Sequence, residues 1–211
     1  MAILCITVLF LVMVTVSHQH GMMMDPINRS SMWRLGFDNP PNYTDMGLYC
    51  GEIMQDWEEN NWKCGLCGDA YSDPIPRANE NTGYYGNGII VAEYKAGSTI
   101  TATIDLTQNH WGHFYFHLCP LASKTELETE ECFEAHPVSI ADGDPYYTLT
   151  SHDSGNYTID LTLPAGLTCQ QCVLRWTYVA ANSWGTCING TQDTGCGPQE
   201  TFRSCSDITI S

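Results

Sequence analysis

The sequence predicts an all-β fold, an antiparallel β-sandwich carrying long loop-rich, disulfide-stapled insertions. Three observations predict it. Apolar and polar residues alternate from Ser98 to Leu106, several further short apolar runs are divided by Gly, Pro and Asp turns, and ten cysteines follow an apolar leader.

The leader comes first. Residues 2–16 form an apolar stretch, too short to span a bilayer comfortably, that ends in small or polar residues. This predicts a secretory signal peptide over 1–19, a secreted, extracellular product and a mature chain starting at His20. A rival cut after Ser17 suits the small-residue preference better and would expose His18-Gln19-His20 instead. The remaining chain, residues 20–211, is about 190 residues long, which suits one domain with a real core.

Met32 to Asn81 is rich in Gly, Pro, Asn and Asp, with Trp33, Phe37, Tyr43, Tyr49, Trp57, Trp62 and Tyr71 scattered through it. It reads as a disulfide-held loop segment with at most short helices. From Gly88 the pattern turns to strands: Ile89-Ile90-Val91, Ser98 to Leu106, Phe114 to Leu118, Tyr157 to Leu163, Cys172 to Tyr178 and Ile208 to Ile210. Turn chemistry separates them at Lys95 to Ser98, Asp142 to Pro145 and Leu163 to Gly166. Lys124 to Phe133 is the best helical candidate, with a solvated acidic loop as its alternative.

A net charge of −16 falls wholly after residue 19. Phosphate-bearing partners would be repelled, so the chain is read as binding neither nucleic acid nor membrane, and a neutral partner fits better. Apart from Cys5 in the leader, the cysteines number ten, an even count that allows up to five disulfides. The pairs Cys64/Cys67 and Cys169/Cys172 have the spacing of a four-cysteine zinc site, but an exported chain with six other cysteines favours disulfides. The pairing is not readable from spacing. Sequons at Asn28, Asn42, Asn156 and Asn189 are compatible with a secretory route.

Histidines are the candidates for chemistry. A mature terminus at His20 would offer two nitrogens from one residue, the α-amine and the imidazole. His110 follows Thr107-Gln108-Asn109 at the end of a predicted strand and precedes Trp111-Gly112, which puts it at the rim of the sandwich. Its plain alternative is a surface turn histidine. His113 and His117 have the separation of a helical metal pair, but Phe114-Tyr115-Phe116 between them are strand formers, so both are read as structural. Met22-Met23-Met24 offer soft sulfur beside His20, yet neighbours in a strand face opposite ways, which favours packing.

Several blocks together resemble the lytic polysaccharide monooxygenases of auxiliary activity family 15. They are His20 to Arg34, Lys63 to Asp69, Asn109-His110-Trp-Gly, Phe116 to Pro120, Cys169 to Tyr178, Asn182-Ser-Trp-Gly185 and Gly195 to Asp207. The resemblance spans essentially the whole mature chain. It implies an immunoglobulin- or fibronectin-III-like sandwich whose flat face rests on insoluble polysaccharide, chitin or cellulose with chitin favoured. It implies one copper ion held by the amine and ring Nδ1 of His20 and by Nε2 of His110, with Phe202 on the axis. It further implies oxidation at C1 or C4, with an external electron donor, O2 or H2O2 as cosubstrate, and a monomer.

Three residues stand out beside that pattern. Gln108 replaces the alanine common two before the second histidine, Glu52 follows Cys50-Gly51 where glycine is common, and Glu200 lies two before Phe202 as a candidate outer hydrogen-bonding group. Two other readings stay open at this level. One is a non-catalytic carbohydrate-binding module using exposed aromatics; the other is a secreted copper-binding protein using His18, His20 and the methionines.

Overall fold

Alternation turns one side of each strand inward, and this chain uses it to close two sheets over one core. The computed structural model describes residues 20–51 and 59–211; residues 1–19 with His18, and Glu52 and Trp57, lie outside the described residues. In chain order the described elements are β1 (His20–Asp25), a 3-10 helix (Met32–Leu35), β2 (Ala92–Tyr94), β3 (Thr99–Gln108), β4 (His113–Pro120), α1 (Glu130–Glu134), β5 (Pro137–Ile140), β6 (Tyr147–Thr148), β7 (Gly155–Thr162), β8 (Cys169–Val179), β9 (Trp184–Thr186), β10 (Gln192–Thr194) and β11 (Thr201–Ile210).

One sheet runs β1-β3-β7 and the other β4-β8-β11-β2, with β6 beside β4 and β9-β10 a separate hairpin. β5 joins the two sheets: Val138 pairs with Phe116 of β4, and Ile140 two residues later pairs with Leu161 of β7. A strand that changes sheets makes the corner of a sandwich. The pairing is antiparallel except between β2 and β11, which run parallel with Ala92 opposite Ile208. β2 reaches that edge from a long loop segment, so no tight hairpin dictates its direction.

The core lies between the sheets. Ile100, Ala102, Ile104 and Leu106 of β3 meet Phe114, Phe116 and Leu118 of β4 and Leu174, Trp176 and Tyr178 of β8 in one buried cluster. β8 is buried on its outer side as well, where Val173 packs with Cys67, Cys119, Phe133 and Cys205 in a second cluster. Both faces of β8 are therefore buried: Leu174, Trp176 and Tyr178 lie on the core side, and Val173, Arg175 and Thr177 lie under the outer cover.

The early loop layer provides that outer cover. Disulfides Cys50–Cys64, Cys67–Cys205, Cys119–Cys132, Cys169–Cys172 and Cys187–Cys196 occupy all ten cysteines after the leader, which removes the zinc reading. Arg29 is fully buried and bonds Asp207 twice, both at 2.7 Å, and Glu128 at 2.6 Å. Its planar fork ties the segment after β1 to β11 and to the chain before α1.

The helix is shorter than the acidic run suggests. Asn81 takes the carbonyls of Lys124 at 3.0 Å and Glu126 at 2.7 Å, so helical bonds cannot form there, and the Thr129 side chain caps Cys132 N–H at 3.1 Å to start α1. Ile89 to Val91 is an extended approach to β2 rather than a strand. Met23 lies in the main core and Met22 is also buried, so both pack. Asn28 is buried, with its amide on Met23 O at 2.7 Å and Ser31 Oγ at 2.9 Å, so the folded chain does not expose that sequon.

Candidate metal centre

Gly21 has little space for a side chain: a Cβ there would stand 3.0 Å from Leu106 Cδ1 and 3.1 Å from the Trp176 ring. This close approach seats β1 on β3, with Gly21 opposite Leu106 and His20 opposite Gln108. The backbone of His20 therefore sits beside the residue two before His110. The side chain of His20 lies outside the described part of the structure.

His110 opens the loop after β3. Buried Asn109 organises it: its amide donates to Ser151 O at 3.0 Å, Asp153 O at 2.9 Å and Tyr157 Oη at 2.9 Å, while its Oδ1 accepts Trp111 N–H at 2.8 Å. Gly112 completes the turn at φ +93°, where a Cβ would stand 1.9 Å from Val179 O. Only glycine fits both the angle and the space.

The loop is anchored to β8 from below. Tyr178 Oη accepts His110 N–H at 3.0 Å and donates to Trp111 O at 2.8 Å, and Ala181 N–H donates to His110 O at 3.0 Å. Phe202 is Tyr178's partner across β8 and β11, and the rings stack at 5.7 Å and 24°. Phe202 is fully buried, with Tyr49 edge-on at 5.9 Å.

The His110 ring is half-buried, and its Nδ1 lies 3.2 Å from Nδ2 of exposed Asn182. Which atom donates depends on the ring's tautomer; with the amide turned so that its oxygen faces Nδ1–H, the Nε2 lone pair would be left open. Burial first, and then the charge of nearby His152, lower the His110 pKa and favour the neutral ring. His152 itself meets the Trp111 ring edge-on at 4.4 Å.

Glu200 enters from the strand that carries Phe202. Its carbonyl accepts Ala180 N–H at 3.0 Å, and burial pushes its carboxyl up to about 7. Gln199, buried, holds the neighbouring loop by accepting Ser183 N–H at 2.9 Å and donating to Ser183 O at 3.1 Å and Cys196 O at 2.8 Å.

The fold thus gathers His110, Phe202, Glu200, the exposed end of β3 with Gln108, and the backbone of His20 at one end of the sandwich. His113 and His117 point to the outer face of β4, on either side of Tyr115, and burial pushes His117 down to about 4. Sequence reasoning passed over Tyr178, Asn182 and Gln199. All three stand within motifs that carried the resemblance, but no spacing rule points to a hydroxyl or amide across the sandwich.

A family model described as lytic polysaccharide mono-oxygenase, cellulose-degrading, matches residues 20–208. A solved lytic polysaccharide monooxygenase AA15 from Thermobia domestica, in the Cu(I) state, is 48% identical with a TM-score of 0.88, over 90% of this chain and 98% of that one. LPMO10B from Micromonospora aurantiaca, at 13% identity over 90% and 99% of the two chains, has a TM-score of 0.44, too low to carry an argument. No curated protein matches. With a family model covering residues 20–208 and near-complete overlap with a relative solved in its Cu(I) state, the chain belongs to the lytic polysaccharide monooxygenases of auxiliary activity family 15 and is a copper-dependent polysaccharide monooxygenase.

Proposed function

We propose that His20 and His110 hold the copper ion and that the end of the sandwich bearing them rests on an insoluble β-1,4-linked polysaccharide, chitin before cellulose. The observation that carries this is the register of β1 on β3, which sets the His20 backbone opposite Gln108, together with the His110 ring held at Nδ1 by Asn182. Residues 1–19 act as a secretory signal, and its removal frees the α-amine of His20 in an extracellular monomer.

The donor set fits the metal. Neutral imidazole and an amine that loses its proton on binding are nitrogen ligands suited to copper in either oxidation state. Copper supplies one-electron redox chemistry, with an external donor and O2 or H2O2 as cosubstrate, for oxidation at C1 or C4. The protein's part is positional. Tyr178 fixes the His110 backbone, Phe202 closes the site from below with a ring that has no donor oxygen, and Gln108 presents a polar side chain beside it. Glu200, with a carboxyl titrating at about 7, can hold or release a proton near neutral pH. No carboxylate pair is needed to protonate a leaving oxygen, unlike glycoside hydrolysis.

The test is mass spectrometry of products from chitin and from cellulose, using copper-loaded protein whose amino terminus has been verified as His20. Oxidised oligosaccharides are expected from at least one polymer, and none from His110→Ala, which should keep its fold because its loop is held through backbone groups. Binding without oxidised products would favour the carbohydrate-binding module, and a mature chain starting at His18 would remove the two-nitrogen ligand.

A further inference from the structure

The sheet formed by β4, β8 and β11 has a second side. Tyr178 and Phe202 face the core, whereas Tyr115, Thr177 and Arg203 share one register row on the outer face. Above this row, the loop bearing Trp62 and Tyr71 leaves a cavity of about 720 Å³, within the range of small-molecule sites.

The lining is mixed in a specific way. Lys63, Arg77 and Arg203 bring three cations, while Glu130 and Glu131 line the same space and Glu80 binds Arg77. Arg175 binds Glu130 from behind the lining, so with these partners four cations face three carboxylates and the charges nearly cancel within a chain of net −16. A cavity selecting an ion would leave an excess of one sign; a balanced mixture of donors and acceptors suits a neutral polyhydroxyl ligand. Trp62, 42% exposed, and Tyr115 add aromatic surface for the C–H face of a sugar ring.

One donor in the wall is unsatisfied. Arg203 Nη1 reaches Glu130 at 3.1 Å and Gly65 O at 3.4 Å, but its buried Nε has no partner among the described residues, and neither has the buried hydroxyl of neighbouring Thr177. The Arg203 guanidinium is therefore only partly satisfied by the chain itself.

We propose that this cavity is a second saccharide site, taking a soluble oligosaccharide end-on in a concave pocket on the opposite side of the sheet from Phe202. It is independent of the copper ligands and does not require the proposed metal site to be correct.

The experiment is calorimetric titration of the copper-loaded protein with cellotetraose and with chitotetraose. At least one should bind. Trp62→Ala and Arg203→Lys, which keeps a cation beside Glu130 but removes Nε, should each weaken that binding roughly tenfold. Cleavage of insoluble polymer by Trp62→Ala should be unchanged. His110→Ala should retain tetraose binding while losing cleavage, which separates this site from the metal centre. If neither sugar binds, if Trp62→Ala binds as the parent does, or if His110→Ala abolishes binding, the second site is refuted. Trp62 lies at the exposed rim, so its variant decides the matter even should Arg203→Lys fail to fold.

Discussion

Tyr178 holds His110 through the backbone, its hydroxyl accepting the His110 N–H at 3.0 Å and donating to Trp111 O at 2.8 Å. The same ring stacks on Phe202 in the core. One side chain therefore ties a loop at the rim to the packed sandwich and fixes the His110 backbone from the core side.

Tyr178→Phe should keep the stacking but leave a half-buried N–H and a carbonyl without their protein partner, at a cost of about 1 kcal/mol. A lower thermal midpoint with a broadened copper electron paramagnetic resonance spectrum is expected. A lowered midpoint with an unaltered spectrum would mean that the hydroxyl stabilises the loop without directing the ligand.

Asn182→Ala tests the outer hold on the same ring. Asn182 is exposed, so stability should change little, while copper affinity should fall roughly 10- to 100-fold as the ring loses its Nδ1 partner. Calorimetric copper titration checks this, and equal affinity in the two proteins would reduce the contact to a surface one.

Glu200 makes stability depend on pH. Its folded carboxyl titrates at about 7 against an ordinary 4.5 because burial disfavours the charge. The stabilisation from the neutral acid is thus complete below about 4.5 and is lost as pH rises through about 7. Between these limits the thermal midpoint of the parent should fall relative to Glu200→Gln, which cannot ionise. Parallel midpoint curves for the two proteins would show that the carboxyl is not held in a desolvated place.

Arg29→Met should be the most damaging single change outside the metal site. It leaves Asp207 and Glu128 as buried carboxylates without their shared cation, for which roughly 3–5 kcal/mol is expected. Denaturant unfolding measures it. A loss below 1 kcal/mol would mean that the two acids take up protons and repack at little cost.

Much of the fold was legible along the chain. The alternation in β3 and the runs that became β4, β7 and β8 mark strands because burial of one face, or of two, leaves a local periodic trace. β5, β6, β9 and β10 are short and carry no such trace, and the parallel pairing of β2 with β11 has no local signature. The run from Lys124 to Phe133 shows the same limit: its helical tendency is overruled by Asn81, a residue distant in sequence that binds the carbonyls a helix would use. At the site, His110 could be placed at a strand end from its neighbours, while the expected leader boundary and the family pattern singled out His20, Phe202, Glu200 and Gln108 only as candidates.

By itself, then, the sequence determined the all-β class, the cysteine-rich loop layer, the acidic net charge, and the residue types able to bind copper. These are local or additive properties of the chain. Only the tertiary structure decided which cysteines join, that Tyr178 and Asn182 hold His110, that Arg29 lies between two acids, and that charges of both signs gather around the cavity beside Trp62. Each of those is a contact between segments far apart in the chain, and such contacts come into being only when burial of the shared core brings the segments together.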